Sequence, residues 1–425
     1  MKKVVAPTQQ VDGISWATLE QIAEAEGTPF FVYQPAAALR AYDTMMAGLA
    51  EWGDAVIAYS LKTNPLPALL QDLRSRGAWI EVVSGAEYAL ARRAGFPGEQ
   101  IVFNGPVKTA AALRTALADG VFSINIDSMD ELALLRDNLP PQGAPVPVGV
   151  RLCPSLTQSR FGMELRSGEV AFAVGEILQD PRLRLACLHV HLGTQIEEAD
   201  RYAQALVEVR DFWQKTKLNG DVCLDFGGGH PYWHNHLFAD QPFVPREFFA
   251  SLAKLWGSGR RPRLFIEPGR WIAAPSFLLV ARVVARKPRM NAPTIVVVDT
   301  GTNHNIMGAF YEHSWAFQQV EAYEEDFRIC GPLCMEDDSL SGHITTKMPA
   351  PGSLVAMLNA GAYSICLARS FIQPLPGIVA ATANGGYTHL IAPEQFAYGW
   401  TLGPDAPVAT VSEAPAIFGR ARQAR

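Results

Sequence analysis

Short apolar runs alternate with longer stretches of helical periodicity from about residue 55 onward. The runs are AVIAYS (55–60), WIEVV (79–83), IVF (101–103), FSINI (122–126), PVGVRL (147–152), ACLHVH (186–191), VCLDF (222–226) and RLFIE (263–267). Between them lie amphipathic segments such as GAEYALARRAGF (85–96) and MDELALLRDNL (129–139). Repeated βα units of this kind predict parallel strands joined by crossover helices. Eight of them close most simply as a (β/α)8 barrel, with an open doubly wound sheet as the alternative.

After about residue 275 the texture changes. FLLVARVVA, TIVVVDT, FRICG, SLVAML and YSICLA are short apolar runs separated by Pro and Gly without clear helical periodicity between them, which predicts a separate β domain. FFVYQ (30–34) precedes the first barrel strand and is assigned to that same β domain, making it discontinuous. The division expected is a barrel over 35–275 and a β domain built from 1–34 and 276–425. No internal repeat or low-complexity tract is present, and the terminal GRARQAR is expected to fray.

Composition agrees with two sizeable cores: 425 residues are 48% apolar and 18% charged. A net charge of −6 argues against nucleic acid or an anionic membrane as an obligatory partner. Six scattered cysteines (153, 187, 223, 330, 334 and 366) and an amino terminus whose apolar run is too short for a signal peptide point to a cytoplasmic protein with free thiols. No run reaches the roughly 20 apolar residues of a membrane helix. Even SFLLVARVVARK is interrupted, by Arg282.

The unusual polar residues fall at the ends of predicted strands. Lys62 follows the first, His191 ends the sixth, Gly227–Gly229 follow the seventh, and Glu267 through Arg270 close the eighth. Barrel enzymes assemble their sites from the carboxyl ends of strands, so all four would converge on one mouth. Three glycines let backbone N–H groups approach an anion such as phosphate without Cβ interference. A partly desolvated lysine loses its proton more readily and can attack an aldehyde to form a Schiff base. Taken singly, Lys62 also reads as a rim lysine, and Glu267 as an ion-pair partner of Arg270. His191 taken singly reads as a hydrogen-bonded strand-end histidine.

In combination these motifs resemble the fold-type III pyridoxal-phosphate (PLP) enzymes, the diaminopimelate, ornithine and arginine decarboxylase family. The resemblance runs through YSLKTNP (59–65), HVHLGTQ (189–195), DFGGGH (225–230), EPGR (267–270), CGPLC (330–334) and GAY (361–363). It implies an alanine racemase-like PLP barrel with a carboxyl-terminal β-barrel or β-sandwich domain. Lys62 would carry the cofactor, Glu267 would hold the pyridine nitrogen protonated, and His191 would lie on the ring. Thr194, Gly227, Gly228, Gly229, Gly269, Arg270 and Tyr363 would complete the cofactor site, most of them around the phosphate. Cys334 would donate a proton to the carbanion from the partner subunit of a homodimer. Arg160 and Asp338 match a basic and an acidic position of the family and are expected to pair across that interface. A metal centre is not expected, because Cys330 and Cys334 have no third and fourth ligands at zinc-like spacing.

The sequence departs from the family at the far end of the substrate. Met335 stands where the diaminopimelate and ornithine enzymes place an acidic residue after the cysteine, and Met307, four residues before Tyr311, stands where a distal arginine clamp is expected. Losing both clamps disfavours diaminopimelate, whose distal charges would go unpaired. GPLCxxxDxL resembles the natural-product subgroup that decarboxylates aminoacyl groups on a carrier protein. The reading is therefore an amino-acid decarboxylase whose substrate is modified or carrier-bound. A free dibasic amino acid held by Glu336 or Asp337 is the alternative. An amino-acid racemase is disfavoured because such enzymes set arginine, not Glu267, against the pyridine nitrogen. A non-catalytic PLP carrier is disfavoured by the β domain and Cys334.

Overall fold

A computed structural model describes residues 9–196, 199–218, 221–232, 243–382 and 384–393. The terminal GRARQAR and the first eight residues lie outside that range. Eight strands, Ala55–Ser60, Trp79–Val82, Ile101–Phe103, Ser123–Ile126, Val146–Cys153, Leu183–Val190, Cys223–Asp225 and Leu264–Ile266, pair in parallel in that order. Leu264–Ile266 returns to Ala55–Ile57 and closes the ring, so the barrel forms and the open sheet does not.

Side-chain alternation with period two explains how this barrel holds both a core and a site. Val56, Ala58, Val102, Cys187, Cys223 and Phe265 pack together as one apolar layer, joined by Trp79 and Phe122. The Trp79 and Phe122 rings meet edge to face at 4.8 Å, and Phe122 lies 4.9 Å from Phe265. Two or four residues further along the same strand faces stand Ser60, Glu81, Asn104, His189, Asp225 and Glu267. The inner face therefore runs from an aromatic floor to a polar layer at the carboxyl ends.

The connecting helices begin where the sequence supplies caps. Ser84 accepts from Glu87 N while Val83 N donates to Glu87 Oε2 at 2.8 Å, opening the helix Gly85–Arg93. Ser128 and Glu131 repeat the arrangement ahead of Met129–Asp137. Each S-x-x-E box satisfies otherwise orphaned donors and stops the preceding strand at the barrel rim.

The remaining strands form a second sheet system. Phe30–Tyr33 pairs antiparallel with the start of Phe277–Lys287 and parallel with Gly377–Ala380. Phe277–Lys287 also pairs with Leu354–Met357 and, with a register shift between Val283 and Ala285, with Thr294–Val298. Thr294–Val298 then runs parallel to Val320–Cys330. One expected strand does not form: YSICLA is a series of turns, with Tyr363 at φ +59°. Its backbone is drawn onto the barrel instead, Tyr363 N donating to Thr63 O at 2.9 Å and Asn64 Nδ2 to Gly361 O at 2.8 Å. Tertiary docking thus overrides a β-branched and aromatic local preference.

Candidate active site

Lys62 lies in a single 3-10 turn, Leu61–Thr63, directly after the first barrel strand. Its Nζ donates to Glu81 Oε2 at 2.7 Å and to Ser60 Oγ at 2.8 Å, and Ser60 Oγ donates to the same Glu81 oxygen at 2.6 Å. Burial alone would depress the lysine pKa, but the Glu81 and Glu267 carboxylates outweigh it and hold the ammonium above the usual lysine range. Lys62 is thus a paired cation, where desolvation alone would favour the free amine.

Behind it lies a buried polar layer. Asn104 Nδ2 donates to Glu267 Oε1 at 2.6 Å and to Glu81 Oε1 at 3.2 Å, and Asn104 Oδ1 accepts from Asn125 Nδ2 at 2.8 Å. His189 Nε2 lies 3.7 Å from Glu267 Oε1, and ligand-type atoms of His189, Asp225 and Glu267 lie within 4.8 Å of one another. Burial and then the neighbouring Glu267 charge push the Asp225 carboxyl well up. Burial opposes ionisation of Glu267 too, but His189 and Lys62 outweigh it and leave Glu267 well below the carboxylate range. One carboxyl is thereby kept neutral beside one kept charged.

His191 follows the sixth strand. Burial lowers its pKa to about 3, and its Nδ1 accepts from Gly228 N at 3.2 Å, which leaves the neutral ring with its proton on Nε2. Gly227 and Gly229 have φ of +60° and +92°, values that exclude most side chains. A Cβ on Gly228 would stand 2.5 Å from Glu267 O. The glycine run therefore lets the seventh and eighth strand ends close together.

A narrow cleft opens above this layer, lined by Lys62, His191, Thr194, Gly228, Gly229, Glu267, Gly269, Arg270 and Tyr363 among others. Gly227 is not on its wall. Glu267 and Arg270 do not form the ion pair that a purely structural role would have given them. The Arg270 guanidinium lies 4.5 Å from the Tyr311 ring and 5.2 Å from that of Tyr363, and its Nε is buried without a hydrogen-bond partner among the described residues. An amine, an imidazole and a carboxylate at one side and an under-used guanidinium beside glycines at the other fit a phosphorylated pyridine aldehyde.

Four residues of this layer, Glu81, Asn104, His189 and Asp225, receive no role from the strand-end motifs, although His189 and Asp225 open two of them. Their signal is parity: Glu81 shares a strand face with Trp79, and Asp225 shares one with Cys223. Polar residues two places beyond inward apolar ones mark the top of a barrel interior.

The Cys334 loop is separate from the cleft. Cys330 and Ser339 bridge antiparallel, and Gly331 N donates to Asp338 O at 2.9 Å, pinching off the segment between them. Cys334, Met335, Glu336 and Asp337 are exposed on it. Asp338 closes the same segment. It is buried, accepting from Thr302 N at 2.7 Å, Thr302 Oγ1 at 3.1 Å and Leu333 N at 2.8 Å, so its carboxylate is committed within the chain. A Cβ on Gly331 would come within 2.2 Å of Asp338 Oδ2. Arg160 is exposed, with its guanidinium 4.1 Å from the Phe161 ring. Met307 is half-buried in the turn Ile306–Ala309.

The sequence model described as "Pyridoxal-dependent decarboxylase, pyridoxal binding domain" matches residues 38–274, more than half of the chain. The chain belongs to the pyridoxal-dependent decarboxylases. It is a carboxy-lyase of amino acids, and its cofactor is PLP. It is 28% identical over 397 residues to the diaminopimelate decarboxylase of Bacillus subtilis, covering 87% of this chain and 90% of that one. It is also 26% identical over 357 residues to the L-glutamyl-[BtrI acyl-carrier protein] decarboxylase of Niallia circulans, covering 77% and 83%. In structure it is similar to Methanocaldococcus jannaschii diaminopimelate decarboxylase in complex with L-lysine, with a TM-score of 0.83 at 23% identity over 91% of this chain and 93% of that one. That likeness establishes the fold. No helix among the described residues is long and apolar enough to cross a membrane.

Proposed function

We propose that this decarboxylase removes the α-carboxylate of an aminoacyl group whose far end is modified or tethered to a carrier protein. The observation that carries the reading is Met335, exposed beside Cys334, together with Met307, at the two positions where the resemblance implies charged clamps. An open, uncharged far end suits a substrate that continues out of the site. The likeness to a carrier-protein glutamyl decarboxylase supports this.

Lys62 would hold PLP covalently, His191 would pack against its ring, and Glu267 would keep a proton at the pyridine nitrogen. Thr194, Gly228, Gly229, Gly269, Arg270 and Tyr363, all on the cleft wall, would hold the remainder, chiefly the phosphate. Bound PLP supplies an electron sink for the pair left on Cα when CO2 departs. Cys334 Sγ would return one proton to Cα, replacing the carboxylate. Its exposure and its place outside the cleft suit delivery from a second subunit, so the active species proposed is a homodimer. Mixing Lys62→Ala with Cys334→Ala protein should then restore turnover that neither variant has alone. No recovery after subunit exchange would sink the shared site.

Substrate choice is tested by CO2 release from free diaminopimelate, lysine, ornithine and glutamate, against the same amino acids loaded on an acyl carrier protein. Turnover restricted to loaded carrier supports the reading. A second reading, a free substrate bound through Glu336 or Asp337, is favoured by the diaminopimelate decarboxylases among the relatives, and vigorous turnover of a free diamino acid would establish it instead.

A further inference from the structure

One buried amide joins the two ends of the cofactor site. Asn104 follows the third barrel strand, Ile101–Phe103, and its side chain is buried at 3% exposure. Its Nδ2 reaches both Glu267, at 2.6 Å, and Glu81, at 3.2 Å. Glu81 in turn holds the Lys62 ammonium at 2.7 Å. Both carboxylates are buried, at 1% and 3% exposure, where each unmade hydrogen bond is costly. The amide cannot turn over without facing its oxygen to two carboxylates, which only accept when ionised. Its backbone is fixed as well, Asn104 N donating to Val82 O at 2.8 Å. Its Oδ1 is held by Asn125, whose own Oδ1 accepts from Ser123 Oγ at 2.7 Å.

We propose that Asn104 is a positioning residue for decarboxylation: its single amide sets the rotamer of Glu267 by tying it to Glu81, fixing the pyridine end of the cofactor relative to Lys62. The proposal rests on the assignment of Lys62 and Glu267 made above. Asn104 occupies Glu267 Oε1, and Glu267 also lines the cleft. The strongest tie is the one to Glu267, so loss of the amide acts first at the pyridine end.

The test uses the PLP-loaded full-length enzyme carrying Asn104→Asp, which exchanges the two donors for a third carboxyl, and Asn104→Ser, which keeps a shorter donor. Removing a hydrogen bond to a buried charged group should lower kcat by about 10- to 100-fold. KM should stay within about threefold, because the amide does not touch substrate. The long-wavelength absorption band of the bound cofactor should weaken, more in Asn104→Asp than in Asn104→Ser, and PLP should be lost faster on dialysis. If Asn104→Asp does not accumulate as folded protein, Asn104→Ser decides. Unchanged kcat and absorption in Asn104→Ser would overturn the proposal, as would a fall in melting temperature with kcat and spectrum intact. Lys62→Ala and Glu267→Gln separate the levels. If borohydride still fixes PLP to Lys62→Ala protein, the assignment beneath the proposal is wrong. If those two variants behave as assigned while Asn104→Ser is silent, only the role of Asn104 falls.

Discussion

At the scale of single residues, the site opposes burial with paired charge, and Lys62 shows the balance. Only the neutral amine attacks an aldehyde, and Glu81 and Glu267 together keep Lys62 protonated against the pull of burial. Glu81→Gln removes the largest raising influence, so the lysine pKa falls from its wild-type position. The neutral fraction near neutral pH rises, and apoenzyme carrying this change should capture PLP faster than wild type, with the difference closing as pH increases. Stopped-flow absorption during reconstitution measures it, and slower capture by Glu81→Gln would contradict the role given to that carboxylate. Lys62, His191, Glu267 and Arg270 were legible in the sequence because each interrupts the pattern at a strand end. Glu81 and His189 were not, because each sits inside a run that reads as an ordinary strand. The charge state of Lys62 was not legible either, since it depends on residues from other strands.

At the scale of elements, the barrel strands could be read residue by residue, because apolar runs of this length between amphipathic helices have few other uses. The β domain was legible in texture but not in pairing. YSICLA has strand composition and forms turns, since its first amide bonds Thr63 of the barrel and the carbonyl of Gly361, just ahead of it, accepts from Asn64. The loop Gly331–Asp338 makes the same point in the other direction. An exposed acidic run conceals one buried carboxylate with three donors. Asp338→Ala would leave two backbone N–H groups without their charged acceptor and should destabilise the protein by about 3 kcal/mol. Urea unfolding of the PLP-loaded enzyme measures the loss. If Cys334 acts where proposed, the same change should lower turnover by loosening its loop, and Asp338→Asn should recover part of both. An Asp338→Ala protein of wild-type stability would show that the loop is held by other means.

At the scale of the whole molecule, buried imidazoles set the response to acid. Burial lowers the pKa of His191 to about 3 and those of His230, His304 and His313 to about 4, against 6.5 for an ordinary histidine. The unfolded chain therefore binds protons that the folded chain refuses. Stability from this source is complete above pH 6.5 and is lost as pH falls toward 4. The melting temperature of the PLP-loaded enzyme should decline steadily through that window, before most carboxylates titrate, and a flat profile there would refute the neutral assignment.

The strand Phe30–Tyr33 lies between Phe277–Val280 and Gly377–Ala380. Its second neighbour is synthesised more than 340 residues after it. At about 5–20 residues per second the ribosome needs roughly 20–70 s to supply that edge. Over the last stretch of about 100 residues, roughly 5–20 s, the barrel and the Phe277–Val280 neighbour are already made while the other edge of the apolar, β-prone FFVY segment waits unpaired, a site that a chaperone could cover during translation. A nascent chain halted before residue 377 would expose this strand, and nothing later in synthesis would cover it.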